Sequence, residues 1–477
     1  MRLGLGAALL LGYAVSGCLA ENPSGSEGSD TDGGSSETAS TPQVDNMLGC
    51  PAGESCWVVL VAQALDDRVE VFGGLAGATP SYRGGIDLDL KPGTEIGPLD
   101  EPFGMALSEE GLHVITGHYP SVERGAMLTF PQAFFDERDA ALIPDDSFFA
   151  GGAFSEGVVE TRFEQTEPIF ALSRPVSGKV LVSVFANDLF AIEDTWTIPG
   201  KLAVIDASNP ADFALITLTG LEDGDCLGAS QLILLGDEQT AAVACDGNEA
   251  IAFLDLGDMS GSPAEAAAGV TGKLCDLPFQ EDRRTRYLAH DGAGGVLVGV
   301  GPTPLNGQIS SQLYNVTPAN CGLSPISVGA SDAQLGELVR FGESHWLLAQ
   351  GALAPDGMRG VQVISSTGIC NTLPGLDDAW QTEGNILAPY ALAVAPGGEH
   401  LAIGAAPSSV GSGQNGIYGK VLWATLEGVE DPCTMTAQVV DLGDGGAGHG
   451  PAPLPADPST WRRGPNVVVV AQVEGGA

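Results

Sequence analysis

Apolar and polar residues follow a recurring unit along the chain, in which a short polar turn joins two apolar runs. The clearest copies are residues 102–119 (PFGMALSEEGLHVITGHY) and residues 390–407 (YALAVAPGGEHLAIGAAP). Apolar runs of this length, separated by a glycine-containing turn, predict a hairpin of buried strands. Copies of the unit begin at positions 103, 169, 231, 287, 338 and 390, which are 51 to 66 residues apart. Such regular spacing is typical of a repeat protein.

Each unit has room for a four-stranded sheet, the content of one propeller blade. Six copies leave the two ends of the chain unassigned. Residues 57–90 contain three candidate strands, at 57–63, 68–72 and 86–90, and residues 466–473 (NVVVVAQV) contain one. Together these ends complete a further blade, and their pairing would close the ring and remove its open edges.

We therefore predict an all-β fold, a β-propeller of seven four-stranded blades closed by pairing of the N- and C-terminal strands. Six and eight blades are the neighbouring alternatives. The 67 glycines and 31 prolines favour many short strands and turns over long helices. One short helix is expected at residues 261–269 (GSPAEAAAG).

The repeat resembles a known family. The stretches PFGMALSEEGLHVIT and YALAVAPGGEHLAIG resemble the P-x-G-x-A-x-S-P-D-G-x-x-L-x-V blades of YVTN-type and lactonase-like seven-bladed propellers. VAQALDDRVEVF is similar to the V-A-N-x-x-x-x-x-V-S-V strand pair of that family. The resemblance covers most of residues 57–473, but the Asp-Gly turn is altered at 174–178. It implies the fold. Lactonase-like propellers bind a divalent ion in the central channel, and no residue here can be matched to those ligands.

The N-terminus predicts export and lipid anchoring. Arg2 precedes an apolar run at residues 3–15, too short to be a permanent membrane span. Residues 15–18 (VSGC) resemble the lipobox of bacterial lipoproteins, which implies that Cys18 carries lipid and is the first mature residue. An ordinary signal peptide with a chance cysteine is the alternative.

Residues 21–43 are rich in serine, glycine and acids and contain almost no apolar residue, so they predict a flexible tether. We divide the chain into a signal peptide at 1–17, the lipidated cysteine and tether at 18–48, and the propeller at 49–477. We expect the chain in the bacterial cell envelope, at the outer membrane and on its periplasmic or surface side.

The net charge of −42 narrows the range of partners. An acidic surface repels phosphate backbones and anionic head groups, which argues against nucleic-acid binding and against membrane contact except through the lipid. We expect a monomer, kept dispersed by its charge.

The cysteines other than Cys18 form an even set, which predicts disulfides in an exported protein. Pairing of sequence neighbours is the default expectation, and zinc is disfavoured because no pair has CxxC spacing. The default pairs are Cys50 with Cys56, Cys226 with Cys245, Cys275 with Cys321, and Cys370 with Cys433.

No catalytic constellation is apparent. His113 and His400 occupy the same repeat position and His345 follows an equivalent turn, which favours structural roles. The sequence has neither a GxSxG elbow nor an HExxH motif. Acids in glycine-containing loops are weak calcium candidates, with solvated loops as the favoured alternative. These candidates are Asp223, Asp225, Asp441 and Asp444.

These patterns favour a lipid-anchored binding or protein-interaction module without catalytic activity, whose ligand is an unknown protein or small molecule. The alternative is a divalent-metal-dependent, lactonase-like hydrolase that uses the central channel. The patterns identify no cofactor, and calcium is the only candidate.

Overall fold

The strands form seven antiparallel sheets arranged as blades around a common axis. This is the architecture of a computed structural model of the chain. It describes the body of the chain with gaps, namely residues 50–63, 68–88, 99–119, 126–132, 158–162, 169–173, 176–184, 198–236, 238–277, 283–302, 312–326, 335–350, 360–376, 381–382, 385–407, 420–443 and 465–475.

Blade 1 combines the last strand with the first three, in the order β29 (Pro465–Glu474), β1 (Ser55–Gln63), β2 (Arg68–Leu75) and β3 (Ser81–Asp87). Blade 2 contains β4 (Leu99–Ser108), β5 (Gly111–Tyr119), β6 (Ala126–Pro131) and β7 (Val159–Arg162). Blade 3 contains β8 (Ile169–Leu172), β9 (Lys179–Val184), β10 (Lys201–Asp206) and β11 (Phe213–Thr217).

Blade 4 contains β12 (Ala229–Leu234), β13 (Thr240–Cys245), β14 (Ala250–Asp255) and β15 (Thr271–Asp276). Blade 5 contains β16 (Arg283–His290), β17 (Val296–Pro302), β18 (Gln312–Thr317) and β19 (Gly322–Ile326). Blade 6 contains β20 (Leu335–Phe341), β21 (His345–Gln350), β22 (Gly360–Ser365) and β23 (Gly368–Thr372). Blade 7 contains β25 (Asn385–Val394), β26 (His400–Pro407), β27 (Lys420–Glu427) and β28 (Thr436–Gly443), with a two-residue strand, β24 (Gln381–Thr382), paired to β25.

Closure of the ring follows the predicted pattern. The C-terminal strand β29 pairs antiparallel with β1 along nearly its whole length, for example Val58 with Ala471 and Val61 with Val468. The innermost strands β29, β4, β8, β12, β16, β20 and β25 contact one another in that order and return to β29. The prediction of seven blades closed by the two ends of the chain is confirmed.

The apolar core lies between neighbouring blades. Strands β9 and β12 are buried at every position, because both of their faces pack against the sheets on either side. Outer strands such as β11 alternate between half-buried and exposed residues. Burial therefore falls from the axis outward, as expected for radially stacked sheets.

Four disulfides link sequence neighbours, as expected by default: Cys50–Cys56, Cys226–Cys245, Cys275–Cys321 and Cys370–Cys433. Two of these bonds are related by the repeat. Cys275 in β15 bonds to Cys321 in the turn after β18, and so joins blade 4 to blade 5. Cys370 in β23 bonds to Cys433 in the 3₁₀ turn Pro432–Thr434, and so joins blade 6 to blade 7.

Two local details refine the predicted elements. The expected short helix, α1 (Pro263–Gly269), begins with a capping box in which Ser262 and Glu265 bond each other's backbone. The third strand of blade 1 begins earlier than residue 86, at Ser81. The ring of Tyr82 packs edge-on against that of Phe72 in β2, which extends the pairing toward the turn.

Candidate functional site

All seven innermost strands carry a register shift at the same end. The shift lies between Pro102 and Gly104 in β4, between Ile169 and Ala171 in β8, and between Pro389 and Ala391 in β25. The equivalent shifts in β12, β16, β20 and β29 fall at residues 229–232, 285–287, 335–338 and 465–467. A bulge bends a strand and re-aims its side chains, and bulges are frequent next to functional sites. We call this end of the ring the bulged end.

Polar side chains at two of these bulges bond across to the next blade. Gln231 Oε1 accepts a hydrogen bond of 2.8 Å from the Leu288 amide, which joins blade 4 to blade 5. Glu337 Oε2 accepts one of 2.7 Å from the Leu392 amide, which joins blade 6 to blade 7. The two residues occupy corresponding positions, so a neutral amide and a carboxyl group perform the same task in different blades.

Glu337 is an acidic residue in an almost completely buried position, 3% exposed. Burial raises its pKa well above the usual range, and the hydrogen bond from the Leu392 amide offsets that rise only in part. The carboxyl group is therefore stabilised in its neutral form.

Gln350 provides a second buried polar group at the bulged end. It ends β21, opposite Leu335 at the start of β20, and is fully buried. Within the described part of the chain, neither its amide nitrogen nor its amide oxygen has a hydrogen-bond partner. An unsatisfied buried amide is costly and calls for an explanation such as a bound ligand or water.

The bulged end also exposes an apolar side chain. Ile198, just before β10, is 48% exposed. It lies at the bulged end because the start of β10 pairs with the end of β9, and the end of β9 pairs with the bulged start of β8. At the opposite end, Leu75 at the end of β2 is 45% exposed. The two residues form a matched pair for comparing the ends.

The histidines of the repeat have separate structural surroundings. His113 is fully buried, with Nε2 2.9 Å from Ser108 Oγ and Nδ1 3.0 Å from Thr129 Oγ1. Burial lowers its pKa to about 4. The imidazole is therefore neutral at pH 7 and serves as a hydrogen-bonding link between β4, β5 and β6.

His400 lies where blade 7 meets blade 1. Its ring stacks on Trp423 at 5.1 Å and meets Trp57 edge-on at 5.6 Å. Burial lowers its pKa, against a smaller opposing effect of Glu399. Like His113, it faces a threonine on the next strand, with Nδ1 3.3 Å from Thr425 Oγ1.

His345 has a different neighbour. Its Nε2 lies 3.6 Å from Sγ of Cys433 in the disulfide between blades 6 and 7. Nδ1 is 3.3 Å from Ser344 Oγ. Among the described residues, His345, Cys370 and Cys433 form the only group of three or more His, Cys, Asp or Glu side chains whose ligand atoms lie within 4.8 Å of one another.

The calcium candidates have other contacts in the structure. Asp223 Oδ2 lies 3.8 Å from Lys273 Nζ, and Asp225 Oδ1 accepts a hydrogen bond of 2.7 Å from the Gly220 amide. Asp441 Oδ2 lies 2.8 Å from Lys420 Nζ. Asp444, like Cys18 with the signal peptide and tether, lies outside the described residues.

Within the described ranges, no helix combines the length and apolarity needed to cross a membrane. No family model and no curated protein matches the sequence.

Solved structures share the fold. The chain is similar to the "putative 6-phosphogluconolactonase" of Bacteroides fragilis NCTC 9343, at 8% identity and a TM-score of 0.50, over 88% of this chain and 98% of the other. It is also similar to a "hypothetical selenium-binding protein" of Sulfolobus tokodaii, at 10% identity and a TM-score of 0.49, over 83% and 93%. At 8% identity the likeness to the Bacteroides fragilis protein shows a shared fold alone. It agrees with the fold that the lactonase-like resemblance implies.

The sequence pattern did not indicate Glu337, Gln350 or the grouping of His345 with Cys433. The two polar residues sit in otherwise apolar strand segments, and a buried position could have been suspected for each from that setting alone. The histidine and the cysteine are 88 residues apart and meet only because their blades are neighbours.

Proposed function

We propose that this chain is a lipid-anchored β-propeller of the cell envelope that binds a ligand or protein partner at the bulged end. The observation that carries the proposal is the register shift shared by all seven innermost strands at one end. Support comes from the amide of Gln350 at the same end, which lacks a partner among the described residues. Binding sites of such folds lie where strand ends and loops converge.

The anchor is supported by the N-terminal sequence. The chain, with a net charge of −42, gains nothing from anionic head groups, so membrane association would depend on the lipid at Cys18. Because one acyl chain binds only reversibly, stable attachment requires more than one, as a diacylglycerol group provides. The tether at residues 18–48 would hold the propeller away from the membrane surface.

The competing function is a divalent-metal-dependent, lactonase-like hydrolase. The full-length chain, purified with its lipid in detergent, would be assayed on a panel of sugar lactones and aliphatic lactones with added Mg²⁺, Ca²⁺ or Zn²⁺ and with a chelator. The binding proposal predicts hydrolysis at the rate of buffer alone under every condition. Metal-dependent turnover that a chelator removes would establish the hydrolase instead.

A further inference from the structure

The disulfide between blades 6 and 7 differs from the other three in exposure. Cys370 and Cys433 are both half-buried. In each of the other bonds at least one cysteine is almost completely buried, at most 6% exposed: Cys50, Cys56, Cys226, Cys245 and Cys275. Reductant access follows exposure, so the Cys370–Cys433 bond is the one most open to reduction in solution.

The same disulfide has an imidazole beside it. His345 Nε2 is 3.6 Å from Cys433 Sγ. The other ring nitrogen, Nδ1, lies 3.3 Å from the Ser344 hydroxyl oxygen. A second group on the far nitrogen is the arrangement that orients histidine ligands in metal sites. The repeat-related disulfide, Cys275–Cys321, belongs to no such group among the described residues, although its two cysteines occupy corresponding places in blades 4 and 5.

The separation of these atoms suits zinc. Tetrahedral Zn²⁺ with Zn–S bonds of about 2.3 Å and Zn–N bonds of about 2.0–2.1 Å places sulfur and nitrogen about 3.6 Å apart. His345 Nε2 and Cys433 Sγ already lie at that distance. His345 and Cys370 are both held by strands of blade 6, and Cys433 is presented by blade 7.

We propose that reduction of the Cys370–Cys433 disulfide creates a zinc site with His345 as the third ligand and water as the fourth. With a phosphine as reductant, the S–S bond accepts two electrons and becomes two thiols, while water supplies the two protons and the oxygen of the phosphine oxide. Zn²⁺ then displaces both thiol protons, since the thiolate is the ligand form. The two blades are thus held together covalently in the oxidised chain and by metal in the reduced one.

The test uses the purified full-length chain. It is treated with a limiting amount of tris(2-carboxyethyl)phosphine, and the reduced cysteines are identified by alkylation and mass spectrometry. Zinc affinity is measured by competition with a chromophoric indicator before and after reduction. We expect no tight site in the oxidised chain, one equivalent of Zn²⁺ after reduction, and protection of Cys370 and Cys433 from alkylation by bound zinc.

Variants separate the proposed site from other thiols. His345→Ala should weaken zinc binding by the reduced chain at least tenfold, and a Cys370→Ser/Cys433→Ser variant should abolish it. The matched Cys275→Ser/Cys321→Ser variant should retain it. Equal affinity before and after reduction, or unchanged affinity in His345→Ala, would overturn the proposal.

If reduction unfolds the chain, adding zinc still tests the proposal. Tryptophan fluorescence follows the fold, because Trp346 and Trp423 are buried in blades 6 and 7. If reduction changes the fluorescence, zinc should restore the native signal in the wild type and in Cys275→Ser/Cys321→Ser, because a ligand that binds only the folded state stabilises it. Failure of zinc to restore it would contradict the site.

Discussion

Two buried titratable side chains, His113 and Glu337, make the stability of the ring depend on pH in opposite directions. Both are shielded from water, and in both cases burial disfavours the charged form. For the histidine the charged form is the protonated one, and for the glutamate it is the ionised one. A fall in pH therefore destabilises the folded state through His113, and a rise in pH destabilises it through Glu337.

Replacement of His113 by Gln should make the free energy of unfolding depend less on pH between pH 7 and pH 4. The pKa of His113 is about 4 in the folded state and 6.5 in the unfolded state, so the unfolded state alone takes up a proton as pH falls between them. Wild type should lose about 3 kcal/mol through this group by pH 4. Urea unfolding of both proteins at pH 7, 5.5 and 4 measures the difference, and parallel curves would refute a neutral buried His113.

Replacement of Glu337 by Gln should stabilise the chain at neutral pH and leave it nearly unchanged at pH 4. Above pH 4.5 the unfolded glutamate ionises while the folded one stays protonated, so wild type loses stability as pH rises. Thermal unfolding should therefore show a higher midpoint for Glu337→Gln than for wild type at pH 7, and nearly equal midpoints at pH 4.

Gln231 supplies the reciprocal control for Glu337. Because its side chain makes the corresponding bond to the next blade, Gln231→Glu should destabilise the chain at pH 7 more than at pH 4. Thermal unfolding at both pH values compares the pair. Equal effects of Glu337→Gln at the two pH values would show that its carboxyl group is not held neutral.

At the level of elements, the closing strand β29 should be sensitive to small changes at its buried positions. Val469 lies in β29 and is buried in the core of blades 1 and 2, whereas Val440 in β28 is 45% exposed. Val469→Thr buries a hydroxyl group and should cost about 1–3 kcal/mol. Val440→Thr should change the free energy of unfolding by less than about 0.5 kcal/mol. Similar losses from both substitutions would contradict closure by β29.

The inner elements were predictable from the sequence and several outer ones were not. Inner strands such as β9 are buried on both faces and are therefore largely apolar in sequence. Outer strands such as β7 and β19 have only four and five residues, and β24 has two, so none of them contains an apolar run long enough to be recognised. The apolar and polar pattern of the sequence does not predict the bulges either, because a register shift depends on the partner strand.

The site was less predictable than the fold for a related reason. Glu337 and Gln231 acquire their roles from amides 55 and 57 residues away in the next blade. The default pairing of cysteines succeeded because each disulfide lies within one blade or joins consecutive blades, where sequence neighbours are also neighbours in space. The shared repeat position of His113 and His400 predicted that both histidines have structural roles. It did not predict that Cys433 Sγ lies beside His345.

At the level of the whole molecule, lipid attachment at Cys18 should determine where the chain resides. Cys18→Ser should abolish incorporation of labelled palmitate and release the protein from the membrane fraction at every ionic strength, since the acidic body has no attraction for head groups. Fractionation of cells that express each form measures this. Ser16→Thr, next to the lipobox glycine, is a control expected to remain membrane-bound. Membrane retention of Cys18→Ser would contradict the anchor.

The two ends of the ring should differ in what they contact, since we assign binding to the bulged end. A benzophenone amino acid placed at Ile198 reports on that end, and the same group at Leu75, of nearly equal exposure, reports on the other. Both full-length proteins would be irradiated in intact cells and their adducts identified by mass spectrometry. We predict a specific adduct from position 198 and none from position 75. Adducts from position 75 alone, or the same adducts from both positions, would contradict binding at the bulged end.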